Sequence, residues 1–350
     1  MGKNFKPDYN NLVSCAYNRK PGRIPLYEHN ISETFMESVS GRSFVHLLET
    51  DLDGYYAEYC GFQKDLGYDC VTFEGCITDI LPFGGALSHP RPGHIDDFDK
   101  FSAYPWQDVK GLYVQKFKRH FDALRRQMPE GMKAVGGVGN GVFEIVQDLC
   151  GFEGLCILKY DDPDLYAQLF KQVGSLMHGI WEWFLSEYFD LYAVVRFGDD
   201  LGYKSNTMLP PEDIKEHIIP QYKRIISLVH SRNKPFLLHS CGNIFSVMDE
   251  LIDEAKIDAK HSNEDQIADM SVWVERYGER IGNFGGIDTD NLVRMNDKEL
   301  TARVEYIYNL ALKKGGGFAI GSGNSIPPYI KPDKYLLMVN TVRKLRGDFD

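Results

Sequence analysis

The chain has 350 residues, 43% hydrophobic and 25% charged, a balance that supports a large buried core. A formal net charge of −11 at pH 7 argues against nucleic acid or an anionic membrane surface as a partner, since both call for clustered Lys and Arg. The polar N-terminus, the lack of a long apolar run and seven scattered cysteines predict a cytoplasmic protein with reduced thiols, no signal peptide and no membrane span.

Residues 1–22 read as an N-terminal extension, and 23–350 as one domain without internal repeats or linkers. Strand-like runs follow at 23–29, 68–74, 132–138, 191–200, 234–240, 256–262, 280–288 and 316–322. Several are short continuous apolar runs, as buried parallel strands require. Residues 75–107 form a long aperiodic insertion after the second run, the length at which a loop is usually functional. Residues 140–190 form a helical excursion rich in aromatics. The segment 211–233 carries Ile214, Ile218, Tyr222, Ile225 and Val229 at helical spacing, with Pro220 predicted to kink it. Three more helices are predicted at 244–255, 265–278 and 297–317, the last two stopped by glycine. Eight alternating units predict a (β/α)₈ TIM barrel, with no strand–GxGxxG–helix unit to support an open doubly wound sheet.

In such a barrel the chemistry sits where strands end. The ends of these runs carry Tyr27-Glu28-His29, Glu74, Asn140, Asp199-Asp200, His239-Ser240-Cys241-Gly242-Asn243, His261-Ser262-Asn263-Glu264, Asp288 and Ser322-Gly323-Asn324-Ser325. Helix capping accounts for residues such as Asp288 and Asn243 but not for His239, Cys241, His261 or Glu28. Residues two apart in a strand face the same way, so His239 and Cys241 offer an imidazole and a thiolate side by side, a zinc-like pair. Neighbouring His261 is the expected third metal ligand, with Glu28 or Glu264 as substitutes; the plain alternative is a buried Cys beside a hydrogen-bonded core His. Glu28, Glu74, Asp199 and Asp200 are candidate acids, bases or substrate anchors, with Glu74, Asp199 and Asp200 the expected catalytic set; the plain alternative is that some are solvated or paired with Arg23, Arg196 or Lys204. Tyr27, Glu28, His29, Asn140, Phe197, Ser322 and Asn324 are assigned to substrate contact. The aromatics Tyr27, Phe73, Phe83, Trp106, Phe143 and Phe197 suit either a pocket wall or plain core, and His89 and His94 suit a lid or the surface.

The segments PGRIPLYEHNIS, FGDDLGYKSNTMLPPE, PFLLHSCGNI, IDAKHSNED and FGGIDTDNL, in this order, resemble the uroporphyrinogen decarboxylase superfamily over about residues 20–347. The resemblance implies a (β/α)₈ barrel and one of two activities. One branch decarboxylates uroporphyrinogen without a cofactor; the other consists of zinc methyltransferases that exchange methyl groups with corrinoid proteins. In NRKPGRIPLYEH, Glu28 and His29 stand where the arginine-rich substrate clamp of the decarboxylases would want cations, while His239-x-Cys241 is similar to the zinc motif of the methyltransferases. Ser322 stands where that branch places its last zinc cysteine, which favours activation of a methyl ether, as in O-demethylation, over activation of a thiol. The resemblance thus implies zinc, a corrinoid-binding protein as partner and a small methylated substrate. The alternatives are a metal-free decarboxylase and a noncatalytic barrel that binds a corrinoid or tetrapyrrole. A homodimer is compatible with either reading.

Overall fold

The structure, a computed structural model, describes residues 5–89 and 91–349; residues 1–4 of the expected extension and residue 90 of the insertion lie outside the described residues. Seven strands form one curled sheet: β1 (Cys70–Cys76), β2 (Lys133–Gly139), β3 (Tyr192–Gly198), β4 (Phe236–His239), β5 (Ala259–His261), β6 (Gly282–Ile287) and β7 (Phe318–Ser322). Neighbours in sequence are neighbours in the sheet, and every pair is parallel. Helices fill the connections, as parallel pairing requires.

The expected first strand, 23–29, is reduced to a bridge between Leu26 and Ile320 of β7. Tyr27 N donates to Ile320 O at 2.9 Å, and Ile320 N donates to Pro25 O at 2.9 Å. Pro25 has no N–H with which to extend that ladder. On its other side, no ladder joins the segment to β1 among the described residues. Side chains span this seam instead: Tyr68 Oη donates to Glu28 Oε1 at 3.2 Å, and Arg23 pairs with Asp69. The fold is therefore TIM-barrel-like, with a side-chain seam between its first segment and β1.

The sheet separates two cores. Val135, Val194, Leu237, Ala259, Phe284 and Ala319 point to the interior, where they meet Tyr27. The N-terminal helix Asn10–Ala16 inserts Leu12, Cys15 and Ala16 into the same cluster. The expected extension thus plugs the interior at one end. Residues of opposite parity, such as Val195, Phe197 and Phe236, pack against the helices. Phe197 meets Trp181, Tyr222 and Phe236 edge-on, so it belongs to this outer layer and not to a substrate surface.

Pro220 has its expected effect, taken up as a turn of π-helix at Ile214–Ile218 between Pro211–Asp213 and Ile219–His230. The helix at Asp297–Lys314 starts with an Asn296/Glu299 capping box and stops at Gly315 in the left-handed region. The one at Met270–Tyr277 is shorter than its sequence pattern, because Asp269 caps it late. The excursion after β2 is helical, at Val142–Cys150, Phe152–Asp161 and Pro163–Tyr188. No helix among the described residues is long and apolar enough to cross a membrane.

Candidate active site

The two-residue period that sends Leu237 into the interior sends His239 and Cys241 the same way, one and two steps further on. β4 pairs with β5 so that His239 lies opposite His261. The three side chains form one chain of contacts. His261 Nε2 lies 3.0 Å from the Ser322 carbonyl, and His261 Nδ1 lies 2.7 Å from His239 Nδ1. His239 Nε2 lies 3.4 Å from Cys241 Sγ and 3.7 Å from Asp200 Oδ1.

Elementary hydrogen bonding fixes the protons along this chain. A carbonyl only accepts, so His261 Nε2 carries the hydrogen. Burial pushes His261 down to about 3, so the ring is neutral and its Nδ1 is a lone pair. His239 Nδ1 must therefore donate to it. Burial, with His261 and Arg196 nearby, holds His239 well below the ordinary imidazole range. That ring is neutral as well, and its Nε2 lone pair faces the thiol and the carboxylate.

The Asp200, His239 and Cys241 ligand atoms all lie within 4.8 Å of one another. Asp200 Oδ1 also accepts from Cys241 N at 3.0 Å, which ties the carboxylate to the strand end. Asn324 Nδ2 donates to Cys241 Sγ at 3.2 Å. Burial and the Asp200 charge push the Cys241 thiol up. An imidazole lone pair, a sulfur and a carboxylate facing one point are a donor set that suits a borderline cation such as zinc. His29, His239 and His261 form a second group of equal compactness, and the His29 ring stacks on His239 at 3.7 Å.

Beneath these rings lies Arg196, 1% exposed. Its Nε and Nη2 hold Glu74 Oε2 at 3.1 and 2.8 Å, and its Nη1 donates to Tyr27 Oη at 2.7 Å and to the His29 carbonyl at 3.0 Å. The expected acid Glu74 is thus half of an ion pair whose guanidinium is buried and whose carboxylate is 17% exposed at a cavity wall. Asp199, also expected as an acid, has a different task. It accepts from Phe143 N at 2.9 Å, Glu144 N at 2.8 Å and Tyr222 Oη at 2.5 Å, so it caps the helix Val142–Cys150 from across the chain. Gly141 makes room for it, since a Cβ there would lie 2.2 Å from Asp199 Cγ. Asn140, in the left-handed region, accepts from Thr78 N at 3.0 Å and donates to Glu144 at 2.8 Å, so it braces loops.

Glu144 escaped the sequence reading because it lies inside a helix. Burial and the neighbouring Asp199 and Asp200 push its carboxyl well above the usual range. The Ser322 amide and hydroxyl bond the Glu28 carboxyl, while the Ser322 carbonyl serves His261. Glu264 lines a neighbouring cavity, and His89 and His94 line neither of the two cavities that flank the centre. His94 instead stacks on Phe83, in a loop that Asp148 pins through the Gly85 and Leu87 amides. Asp288 caps Thr289–Arg294 as expected, whereas Asn243 is no cap: Ile244 holds that position, and Asn243 Oδ1 instead accepts from Phe245 N in a tight turn.

Burial raises the Glu28 carboxyl to about 8, against the opposing bonds from Ser322 and Tyr68. The native state then holds a proton that the unfolded chain releases, so stability falls as pH rises from about 5 to about 8. Glu28→Gln, neutral throughout, should flatten the decline in melting temperature over that window. Equal slopes for the two proteins would reject this assignment.

Two cavities flank the centre. One, of 410 Å³, is mixed in character, with Lys204, Glu264, Asp288 and Asp290 beside Pro327 and Tyr329. The other, of 600 Å³, runs along the seam past Tyr56, Thr72 and His120 to Glu74, Arg196 and His29. They meet at Ser325.

A methyltransferase from Methanosarcina mazei has a similar fold, with a TM-score of 0.69 and 15% identity over 97% of this chain and 99% of that one. An endoglucanase from an uncultured bacterium superimposes with a TM-score of 0.48 and 10% identity over 97% of this chain and 96% of its own. No curated protein matches the chain in sequence. The uroporphyrinogen decarboxylase family model matches residues 82–345, which include β2 to β7 and the His239–Cys241 strand end, and the chain belongs to that family.

Proposed function

We propose that the protein is a zinc-assisted methyltransferase that moves a methyl group between a small methylated substrate and the cobalt of a corrinoid held by a partner protein. The observation that carries this reading is the free Nε2 lone pair of His239, fixed by the His261–Ser322 relay and facing Cys241 and Asp200. Asp200, His239 and Cys241 are the proposed ligands. His261 is a positioning residue, since both of its nitrogens are already bonded. The three-histidine group is the less suited set, because it would have to break the His239–His261 bond.

Bound zinc would supply Lewis acidity toward the oxygen or sulfur of the substrate. With one thiolate and one carboxylate in the set, that acidity favours an ether over a thiol. In the demethylating direction the methyl–heteroatom bond breaks and its electron pair stays on the heteroatom. The methyl carbon bonds to Co(I) of the partner's corrinoid, using the cobalt's electron pair. Burial and the Asp199 and Asp200 charges raise the Glu144 carboxyl well above the usual range, which favours its neutral form beside the centre. Arg196 holds the His29 carbonyl and thereby the ring stacked over His239. Its charge is already matched by Glu74, which leaves it poorly placed to grip a polycarboxylate and weighs against the decarboxylase reading.

Metal analysis and a transfer assay test the proposal together. About one zinc per chain is expected, lost in Cys241→Ser, with conversion of Co(I) corrinoid to the methyl form followed by its visible spectrum. A folded, metal-free protein that releases carbon dioxide from a carboxylated substrate would overturn it.

A further inference from the structure

We propose that Lys260 is a positioning residue that acts through Ser262 to hold a hydrogen-bond donor on the Cys241 sulfur, an inference that rests on the methyl-transfer reading. Together with Asn324, this donor keeps the thiolate ligand from taking the methyl group itself.

A thiolate is a nucleophile, and one that sits where methyl groups are activated competes with the cobalt for them. Transfer to it would form an S–CH₃ bond with the sulfur's electron pair, while the donor's heteroatom keeps the pair of the bond that breaks. Cys241 would end as a neutral thioether, without the charge that suits it to zinc. Hydrogen bonds to the sulfur oppose this, because they engage the electron pairs that would attack. Cys241 Sγ accepts two of them, from Asn324 Nδ2 at 3.2 Å and from Ser262 Oγ at 3.8 Å. A neutral thiol is a weak acceptor, so two donors on one sulfur fit a thiolate.

Lys260 accounts for the second donor. It lies in β5, two residues before Ser262, and its Nζ donates to the Ser262 carbonyl. That bond ties down the chain as it leaves the strand, at the residue whose hydroxyl reaches the sulfur. Lys260 is 6% exposed and makes no ion pair among the described residues, a costly place for a cation. The face of Trp273 offsets part of that cost, with Nζ 3.8 Å from the ring centroid. Phe245 stacks on Trp273 at 4.2 Å and steadies the ring. Burial lowers the amine to about 7, and either protonation state can donate to the carbonyl. A methionine would fill the same space without an amine to desolvate; what the amine adds is the bond to Ser262.

Exposure of the zinc-loaded full chain to methyl iodide, with S-methylation of Cys241 followed by peptide mass spectrometry, tests this. Ser262→Ala and Lys260→Met should each be methylated about fivefold faster than the wild type, the change expected from one lost hydrogen bond. Ser262→Thr keeps the hydroxyl and should react at the wild-type rate. The double variant Lys260→Met/Ser262→Ala should match Ser262→Ala, since the lysine acts through that hydroxyl. In cobalt(II)-loaded protein the thiolate-to-metal absorption band should move to lower energy in Ser262→Ala and stay in place in Ser262→Thr. Effects that multiply in the double variant would mean that Lys260 acts by another route, and overturn its assigned role. Metal stoichiometry, measured first, separates the two readings. A chain that binds no zinc sinks the methyl-transfer reading and this inference with it. A zinc-loaded chain whose variants all react at the wild-type rate sinks this inference alone.

Discussion

His239→Ala is expected to strip the metal and abolish methyl transfer together, a larger loss than the about 10–100-fold that removal of an outer partner costs. Asp200→Asn should also release metal, because it replaces a charged ligand with a neutral amide. His261→Gln should lose little, since its amide can still donate to the Ser322 carbonyl and accept from His239 Nδ1. His261→Phe breaks the relay and should cost about 10–100-fold in affinity, by freeing the His239 tautomer. His29→Phe keeps the stack and should retain the metal. The pattern discriminates between the candidate sets. If His261 were a ligand, the glutamine variant would fall with His239→Ala. If the three histidines held the ion, His29→Phe would release it and Asp200→Asn would not. Metal stoichiometry and competition with a chelator measure each case.

Much of this architecture could be read from residue order. Strand-like runs marked all seven strands, several of them because strands covered on both faces carry continuous hydrophobic stretches. The first run, 23–29, failed as a strand where Pro25 removed a donor from the ladder to β7. Parity placed His239 and Cys241 on one face, and the same rule applied from Arg196 would have put Phe197 among the helices. What escaped depends on contacts far apart in the chain. Asp199 caps a helix that begins 57 residues earlier, by the 142 to 199 difference in numbering, and nothing in its own segment signals that. Glu144 is one helical glutamate among many until the fold sets it beside Asp199 and Asp200. Arg196 was visible only as a partner for carboxylates, and its hold on the His29 carbonyl joins residues 167 apart in the chain. Asp200 was read as an acid, and its approach to His239 Nε2 is a product of the turn after β3.

Arg196 offers the largest expected effect on stability. Arg196→Met leaves Glu74 without its partner and removes the donors to Tyr27 and His29. Breaking a buried pair from one side costs about 3–5 kcal/mol, because the remaining charge has lost its compensation. Removing both sides is a different matter, since two apolar groups of similar size leave no charge behind. The double variant Arg196→Met/Glu74→Met should therefore recover most of that loss in denaturant unfolding. It should not recover methyl transfer, because the His29 carbonyl still lacks the donor that seats its ring over His239. Stability regained without activity would mark Arg196 as a residue that positions the site as well as one that holds the fold. If the double variant regained both, the guanidinium would be serving the fold alone, and the His29 stack would need another cause.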